Sequence, residues 1–131
     1  MTLDKLETPA LIVEEKIFNT NAAVMSEILK GKTLKLRPHY KSHKCATIAH
    51  MQIRSGAIGM TCAKLSEAED LADSGIEDIL IANQIVDPQK IRRAALLADR
   101  CRLTVCVDSI ENNGGHQHKQ LDKEMCDFIL K

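Results

Sequence analysis

Short apolar runs alternate along the chain with segments in which apolar residues recur at helical spacing. The apolar runs, typical of buried strands, begin near residues 10, 34, 57, 79 and 103. Strands that alternate with helices indicate right-handed crossovers and a parallel sheet. A repeat of little more than twenty residues favours an eight-stranded barrel, of which this chain would supply about five strands. The pattern therefore predicts an α/β fold, a partial (β/α) barrel of about five parallel strands with alternating helices.

Turn and capping residues mark the ends of the predicted helices. These helices lie within residues 14–30, 45–54, 66–75 and 87–98. Glycines at the ends of the first three are typical stop residues. Ser66 with Glu69 resembles a capping box at the start of the third helix. Asp87 followed by Pro88 provides a capping residue and a proline at the first helical position of the fourth.

The second apolar run is unusual because basic and imidazole side chains share it. With a period of two, one face carries Leu34, Leu36, Pro38 and Tyr40, and the other carries Lys35, Arg37, His39 and Lys41. Cations crowded on one face must be solvated, paired or holding an anion. We expect Lys41 to be the reactive side chain, because Arg37, Lys44 and partial removal from water would disfavour its charged form. The alternative is a solvated basic loop.

Polar residues follow the predicted strands at the edge where parallel sheets gather their chemistry. They are Lys41, Thr61, Asn83, Gln84, Asp108 and Ser109. Each of them is ordinary when taken alone, since Asn83 or Asp108 could simply begin a loop. Together with the basic run they predict a pocket for an anionic ligand that accepts and donates hydrogen bonds.

Metal and nucleotide sites are weakly indicated. His39, His43 and Cys45 have zinc-ligand chemistry, but a strand running into a loop does not bring residues four apart onto one face. His116 and His118 lie in a polar, Gly-rich tail and are a weaker pair still. The sequence contains no Walker or Rossmann glycine pattern and no G-x-S-x-G elbow. We therefore predict no metal ligands within this chain.

The composition limits the classes of partner and the location expected for this protein. The 18 basic and 18 acidic residues balance, which argues against nucleic acid or an anionic membrane as the main partner. No apolar run reaches the roughly 18 residues of a membrane span. The amino terminus lacks the apolar stretch of a signal peptide, so the expected location is cytoplasmic. The 5 cysteines form no C-x-x-C pair and are expected to be reduced and mostly buried.

Five motifs occur in order between about residues 7 and 110. They are Pro9–Val13, Leu36–Lys44, Gly59–Ala63 with Ser66–Glu69, Asp78–Asn83, and Leu103–Ser109. They resemble the amino-terminal barrel of the D-threonine aldolase and D-serine dehydratase family, which has the alanine-racemase-like fold of pyridoxal-phosphate enzymes. The string R-P-H-x-K-S/T-H-K, matched by Arg37–Lys44, is specific.

The resemblance implies that Lys41 is the catalytic lysine, which holds pyridoxal 5'-phosphate as a Schiff base at a barrel strand end. The cofactor would act as electron sink for a carbanion at the α carbon of a small D-3-hydroxy amino acid, leading to retro-aldol cleavage or dehydration. Arg37 and His39 match the same motif and would tune the site. Thr61 and Asn83 complete the expected cofactor-binding set.

The resemblance also predicts a domain division, with a partial barrel over residues 1–110 and a non-family tail over residues 111–131. The tail would comprise a polar loop and a short helix near Leu121–Leu130. In family members the later strands and a carboxy-terminal β domain carrying divalent-metal ligands follow this region. We therefore expect a truncated or alternative product that lacks the metal site, with open sheet edges available for homo-oligomer contacts.

Three functional hypotheses remain open at this point. The first is a pyridoxal-phosphate lyase or a fragment of one. The second is a non-catalytic fragment that binds the cofactor weakly or associates with a full-length partner. The third is a cofactor carrier of the same fold, which is disfavoured because a carrier still needs a closed barrel.

Overall fold

The protein is described by a computed structural model over residues 3–107. The predicted features after Val107 lie outside the described residues: Asp108, Ser109, the two tail histidines, Cys126 and the helix near Leu121–Leu130. The chain divides between Thr33 and Leu34 into two compact units. Within the described part, no helix is long and apolar enough to cross a bilayer.

The first unit contains a short 3-10 turn over Leu3–Lys5 and one long helix, α1, over Glu15–Leu29. This confirms the first predicted helix. Gly31 follows with a φ of 72°, a left-handed conformation that glycine adopts without a Cβ clash, and it ends the helix as expected.

The first predicted strand is not found. Pro9–Val13 has no strand conformation, and Leu11, Ile12 and Val13 are exposed. An apolar run becomes a strand only where a neighbouring backbone takes up its N–H and C=O groups. No such backbone ladder forms at these residues in the described chain, so the apolar run alone was not sufficient.

The second unit is an α/β layer. Its elements, in chain order, are a 3-10 turn over Tyr40–Ser42, α2 over Ala46–Arg54, β1 over Met60–Cys62, α3 over Leu65–Asp73, β2 over Asp78–Ile81, α4 over Pro88–Ala98 and β3 over Arg102–Val105. The strands form one parallel sheet in the order β1-β2-β3. Three of the predicted strands and all four predicted helices are therefore present within residues 3–107.

The basic run forms a partial ladder rather than a full strand. His39 bridges Thr61 in parallel, the Thr61 N–H donates to the Pro38 carbonyl at 2.8 Å, and the Ile58 N–H donates to the Leu36 carbonyl at 3.0 Å. Pro38 has no N–H to return, and the chain turns at Tyr40, so the ladder cannot extend. The prediction of five strands is thus not confirmed.

The two faces of the sheet differ. One face packs against the helices through fully or nearly fully buried side chains, which include Met60, Cys62, Ile79, Ile81 and Leu103 from the strands and Ala49, Ala68, Leu71, Ala94 and Leu97 from the helices. Burial of each large aliphatic side chain contributes about 1.5–3 kcal/mol. Because side chains alternate along a strand, Arg37, His39, Thr61, Leu80 and Thr104 lie on the opposite face.

The start of α4 is as predicted and the start of α3 is not. Asp87 Oδ1 accepts the N–H of Lys90 at 2.9 Å, with Pro88 at the first helical position. Helix α3 begins at Leu65 with Lys64 at the cap position, two residues earlier than a Ser66 cap requires. Its third residue is therefore Glu67, whose carboxylate accepts the N–H of Ala63 at 2.9 Å. The capping box of Ser66 and Glu69 was a wrong prediction because of this shift.

Candidate functional site

The predicted reactive lysine lies in a well-anchored turn. After the bridge between His39 and Thr61, the chain turns over Tyr40–Ser42, next to the carboxyl end of β1. Tyr40 is 2% exposed, and its hydroxyl donates a hydrogen bond to the carboxylate of Asp70 in α3. The His39 ring accepts the Lys41 N–H through Nδ1 at 3.3 Å. The backbone of Lys41 is thus anchored through the two residues that precede it, while Lys41 itself is exposed.

The neighbouring cations that were expected to crowd Lys41 each have an acidic partner. Arg37 is paired with Asp78 at 2.7 Å, and Lys44 Nζ lies 3.1 Å from Glu67 Oε1. Opposite charges at this distance largely cancel each other's field at a third group. Lys41 takes part in no ion pair among residues 3–107. Its amine is therefore exposed to solvent, with the positive charges around it compensated.

Arg37 lies at the other end of the sheet. Its guanidinium donates to Asp78 through Nε to Oδ1 at 3.0 Å and through Nη2 to both carboxylate oxygens at 2.7 and 2.9 Å. Asp78 is the first residue of β2, and Arg102, the first residue of β3, approaches it at 3.6 Å. Gly59 lies beside this pair, since a Cβ there would be 2.3 Å from the Asp78 carbonyl oxygen. The Arg37 side chain is thus engaged in holding the amino ends of the strands together.

His39 and Thr61 are neighbours across the bridge. Thr61 Oγ1 donates to the Arg37 carbonyl at 3.1 Å, so this buried hydroxyl is used within the sheet. Burial and the nearby Lys41 ammonium lower the pKa of His39, against a smaller opposing effect of Glu67. The ring is therefore neutral at pH 7. Because Nδ1 accepts the Lys41 N–H, the ring proton resides on Nε2.

Asn83 lies beyond the carboxyl end of β2. Its Nδ2 approaches the Ala63 carbonyl at 3.5 Å, and its Oδ1 accepts the N–H of Gln84 at 3.0 Å. Of the five predicted site residues, Lys41 and Asn83 thus follow the carboxyl ends of their strands, His39 and Thr61 lie within the sheet, and Arg37 lies toward the opposite end.

Sequence reasoning missed Glu67, the buried carboxylate at this edge. Its side chain is 8% exposed, accepts the Ala63 N–H and pairs with Lys44. Burial raises the pKa of Glu67, but the Ala63 hydrogen bond and the Lys44 ammonium together bring it below its usual range. The available signal was a glutamate at the third position of a helix that follows a strand, which the capping-box interpretation of Ser66 obscured.

His43 packs behind the turn against Tyr40. Its Nδ1 accepts the Cys45 N–H at 3.2 Å, and its ring meets Tyr40 edge-on, with centroids 5.3 Å apart. Burial lowers the pKa of His43. Within residues 3–107, no group of three or more His, Cys, Asp or Glu side chains is arranged to hold a metal ion.

The cysteines in the described residues are free thiols with different environments. Cys62 is buried, which raises its pKa to about 12, whereas Cys45 and Cys101 are half-buried and Cys106 is exposed. A thiol with so high a pKa is unreactive at neutral pH. The expectation of mostly buried cysteines therefore holds for Cys62 and in part for Cys45 and Cys101.

One cleft in the second unit is apolar. It lies between β3 and α4 and is lined by Ile85, Ile91, Ala94, Ala95, Val105, Cys106 and Val107. These residues carry no charge that could attract an anion. The cleft is thus different in character from the anion pocket that the sequence predicted at the strand ends.

Comparison with known proteins gives consistent matches over most of the chain. The family model for the alanine racemase N-terminal domain matches residues 13–124. The D-threonine aldolase of an Arthrobacter species is 38% identical over 110 residues, covering 84% of this chain and 29% of that protein. The 3-hydroxy-D-aspartate aldolase of Paracoccus denitrificans is 35% identical over 114 residues, covering 86% of this chain and 30% of that protein.

The chain is also similar to solved structures. The crystal structure of D-threonine aldolase from Filomicrobium marinum superimposes with a TM-score of 0.85 and 42% identity, over 96% of this chain and 33% of that one. The D-threo-3-hydroxyaspartate dehydratase from Delftia sp. HT23 gives a TM-score of 0.76 and 34% identity, over 82% of this chain and 28% of that one. The chain thus spans about a third or less of the length of these similar proteins.

Proposed function

This chain belongs to the alanine racemase N-terminal domain family, and on that premise we propose that it carries the lysine-bearing part of a pyridoxal-phosphate lyase. The proposed substrates are small D-3-hydroxy amino acids, and the reaction is aldol cleavage or dehydration, as the names of its relatives suggest. The observation that carries the proposal is the Arg37–Lys44 string, whose central Lys41 lies in an anchored turn next to the carboxyl end of a parallel strand.

The residues at this turn fit the aldehyde end of the cofactor. An aldehyde condenses with a primary amine that is accessible and not tied up as a paired ammonium. Lys41 meets both conditions, because it is exposed and has no acidic partner among residues 3–107. When bound, pyridoxal phosphate supplies an electron sink that stabilises negative charge at the substrate's α carbon.

The other predicted site residues act on the lysine turn rather than on the reaction. His39 accepts the backbone N–H of Lys41 and, being neutral, keeps an Nε2 proton available as a hydrogen-bond donor. Arg37 sets the position of the run through Asp78, and Thr61 holds the Arg37 carbonyl. Asn83 offers an exposed amide at the same edge as Lys41. We infer that these residues orient the Lys41 backbone and one polar flank of the site.

The proposal is tested by reductive labelling. The protein is incubated with pyridoxal phosphate, its visible spectrum is recorded, borohydride is added, and the labelled lysines are identified by peptide mass spectrometry. We expect a visible absorbance band and label at Lys41, and loss of both in Lys41→Ala. The matched control is Lys35→Ala, which removes another exposed lysine of the same run. Label distributed evenly over the surface lysines would contradict the proposal.

A second candidate is a non-catalytic module that binds the cofactor without turnover. The exposure of Lys41 favours it, because lyase chemistry needs a site from which water is excluded. The two candidates separate in one assay, in which protein loaded with pyridoxal phosphate but not treated with borohydride is supplied with D-threonine, and the release of glycine and acetaldehyde, or of 2-oxobutanoate and ammonia, is measured. Label without product would favour the module, and product would favour the lyase. Size-exclusion chromatography then reports whether copies associate or a full-length partner is needed.

A further inference from the structure

The turn that bears Lys41 is held by one face of α3. Glu67 and Asp70 are three residues apart, so their side chains lie on the same side of that helix. Asp70 accepts the Tyr40 hydroxyl before Lys41, and Glu67 pairs with Lys44 after it. Two acidic side chains therefore fix the two ends of the turn and leave Lys41 between them.

Lys44 has an unusual backbone conformation. Its φ is 44°, and among the described residues it is the one non-glycine residue with positive φ. A residue with a Cβ is strained in this left-handed region and remains there only when its surroundings require it. Two contacts do so here, the Lys44 N–H to the Tyr40 carbonyl at 2.9 Å and the Nζ to Glu67 at 3.1 Å. The strained backbone conformation thus occurs together with a Lys44 side chain that is directed toward Glu67.

Glu67 needs a cation at this position. Its carboxylate is nearly fully buried and ionised at neutral pH, since the Ala63 N–H and the Lys44 ammonium lower its pKa despite its burial. A buried carboxylate without a compensating charge is costly. Lys44 supplies that charge while remaining 60% exposed itself.

The turn therefore presents two lysines and one buried carboxylate. We propose that Glu67 selects between the two lysines by holding the Lys44 ammonium in an ion pair and leaving Lys41 as the amine that reacts. In this role Glu67 is a positioning residue, because it acts on the reacting amine through Lys44. The inference rests on the proposed function in naming an aldehyde cofactor as the reactant.

The selection between the two lysines depends on which amine nitrogen has a free lone pair. The unprotonated amine of Lys41 adds its lone pair to the aldehyde carbon, two protons leave with the aldehyde oxygen as water, and a carbon–nitrogen double bond remains. An ion pair with a carboxylate stabilises the ammonium form of a lysine, and the ammonium has no lone pair to donate. Borohydride then supplies hydride to the carbon of that double bond, which makes the label permanent and countable.

The central experiment compares Lys41 with Lys44 in wild type and in Glu67→Gln. The glutamine keeps an oxygen for the Ala63 N–H and loses the charge that holds Lys44. After labelling with limiting pyridoxal phosphate and borohydride, fragment ions that separate the two lysines give the ratio of label on Lys41 to label on Lys44. We expect this ratio to fall about fivefold in Glu67→Gln, which corresponds to about 1 kcal/mol. The matched control is Glu69→Gln. Glu69 is on α3, as Glu67 is, but it pairs with Arg93 of α4, so its replacement should leave the label ratio unchanged.

A second measurement separates this inference from the proposed function and needs no variant. Wild-type protein is acetylated briefly with limiting acetic anhydride, and the initial rates at Lys35, Lys41 and Lys44 are compared. We expect Lys44 to react several-fold more slowly than the other two. Equal rates at Lys44 and Lys41, or an unchanged label ratio in folded Glu67→Gln, would overturn the inference. Slow acetylation of Lys44 without cofactor label at Lys41 would instead support the selection and refute the proposed function.

Discussion

The two ends of the sheet use the same kinds of side chain with opposite results. At the amino end, Arg37 and Arg102 share the carboxylate of Asp78, and these ion pairs hold the strands together. At the carboxyl end, the turn carries Lys41 and Lys44, and the buried carboxylate of Glu67 pairs with Lys44. Arginine can hold a carboxylate through a planar fork and stays charged, whereas lysine makes a single point contact and can lose its proton. The difference indicates that pairing, more than the number of cations, sets the environment of each basic residue.

The largest expected effect concerns the amino end. Replacing Asp78 by Asn leaves the Arg37 guanidinium, whose side chain is 25% exposed, without its charged partner. We expect the free energy of unfolding to fall by about 2 kcal/mol, less than the 3–5 kcal/mol of a fully buried pair because of that exposure. Urea unfolding measures the change.

Asp73→Asn is the control for this comparison. It breaks an ion pair with Arg100 in which both side chains are more than half exposed, and it should change the free energy of unfolding by no more than about 0.5 kcal/mol. Equal losses in the two variants would show that the pair between Arg37 and Asp78 is not a special support of the sheet.

An intermediate effect is expected at the anchor of the lysine turn. Tyr40→Phe removes the hydroxyl that donates to Asp70 and keeps the buried ring. We expect a loss of about 1 kcal/mol in the free energy of unfolding, the usual value for one hydrogen bond. We also expect slower labelling of Lys41 by pyridoxal phosphate, because the turn is less ordered. Unchanged labelling together with lowered stability would mean that this anchor supports the fold without positioning the lysine.

The smallest effect is a change in pH dependence at the carboxyl end. The pKa of Glu67 is lower in the folded protein than in the unfolded chain, so its stabilisation is complete above the unfolded value of about 4.3 and is lost as the pH falls through the folded value. We expect the free energy of unfolding of wild type to decrease below about pH 4.3, and to decrease less steeply in Glu67→Gln. Equal slopes for the two proteins would contradict this account of Glu67.

Local patterns predicted the elements whose signals are contained within a few residues. Helices α1 to α4 appeared where apolar spacing, glycine stops and the Asp87 cap indicated them. The period-two division of the basic run holds in part, since Tyr40 is buried and Lys35 and Lys41 are exposed, but Leu34 of the predicted apolar face is 67% exposed. Two of the apolar runs failed as strands because strand formation depends on a neighbour. Pro9–Val13 has no ladder, and Pro38 interrupts the ladder of the second run.

In the candidate site, too, features that depend on neighbouring residues in the sequence were predictable, and contacts between distant residues were not. The sequence alone singled out Lys41 as the candidate, because the string around it is compact and all its residues are close together in the chain. It could not identify the charges that surround Lys41. Arg37 meets Asp78 across 41 residues of sequence, and Lys44 meets Glu67 in another element. Such contacts depend on the register of the parallel strands and on where a helix starts, and a shift of two residues in the start of α3 was enough to hide Glu67. Long-range pairing is a property of the assembled sheet and helices, and it gives Arg37 and Lys44 acidic partners while Lys41 has none among the described residues.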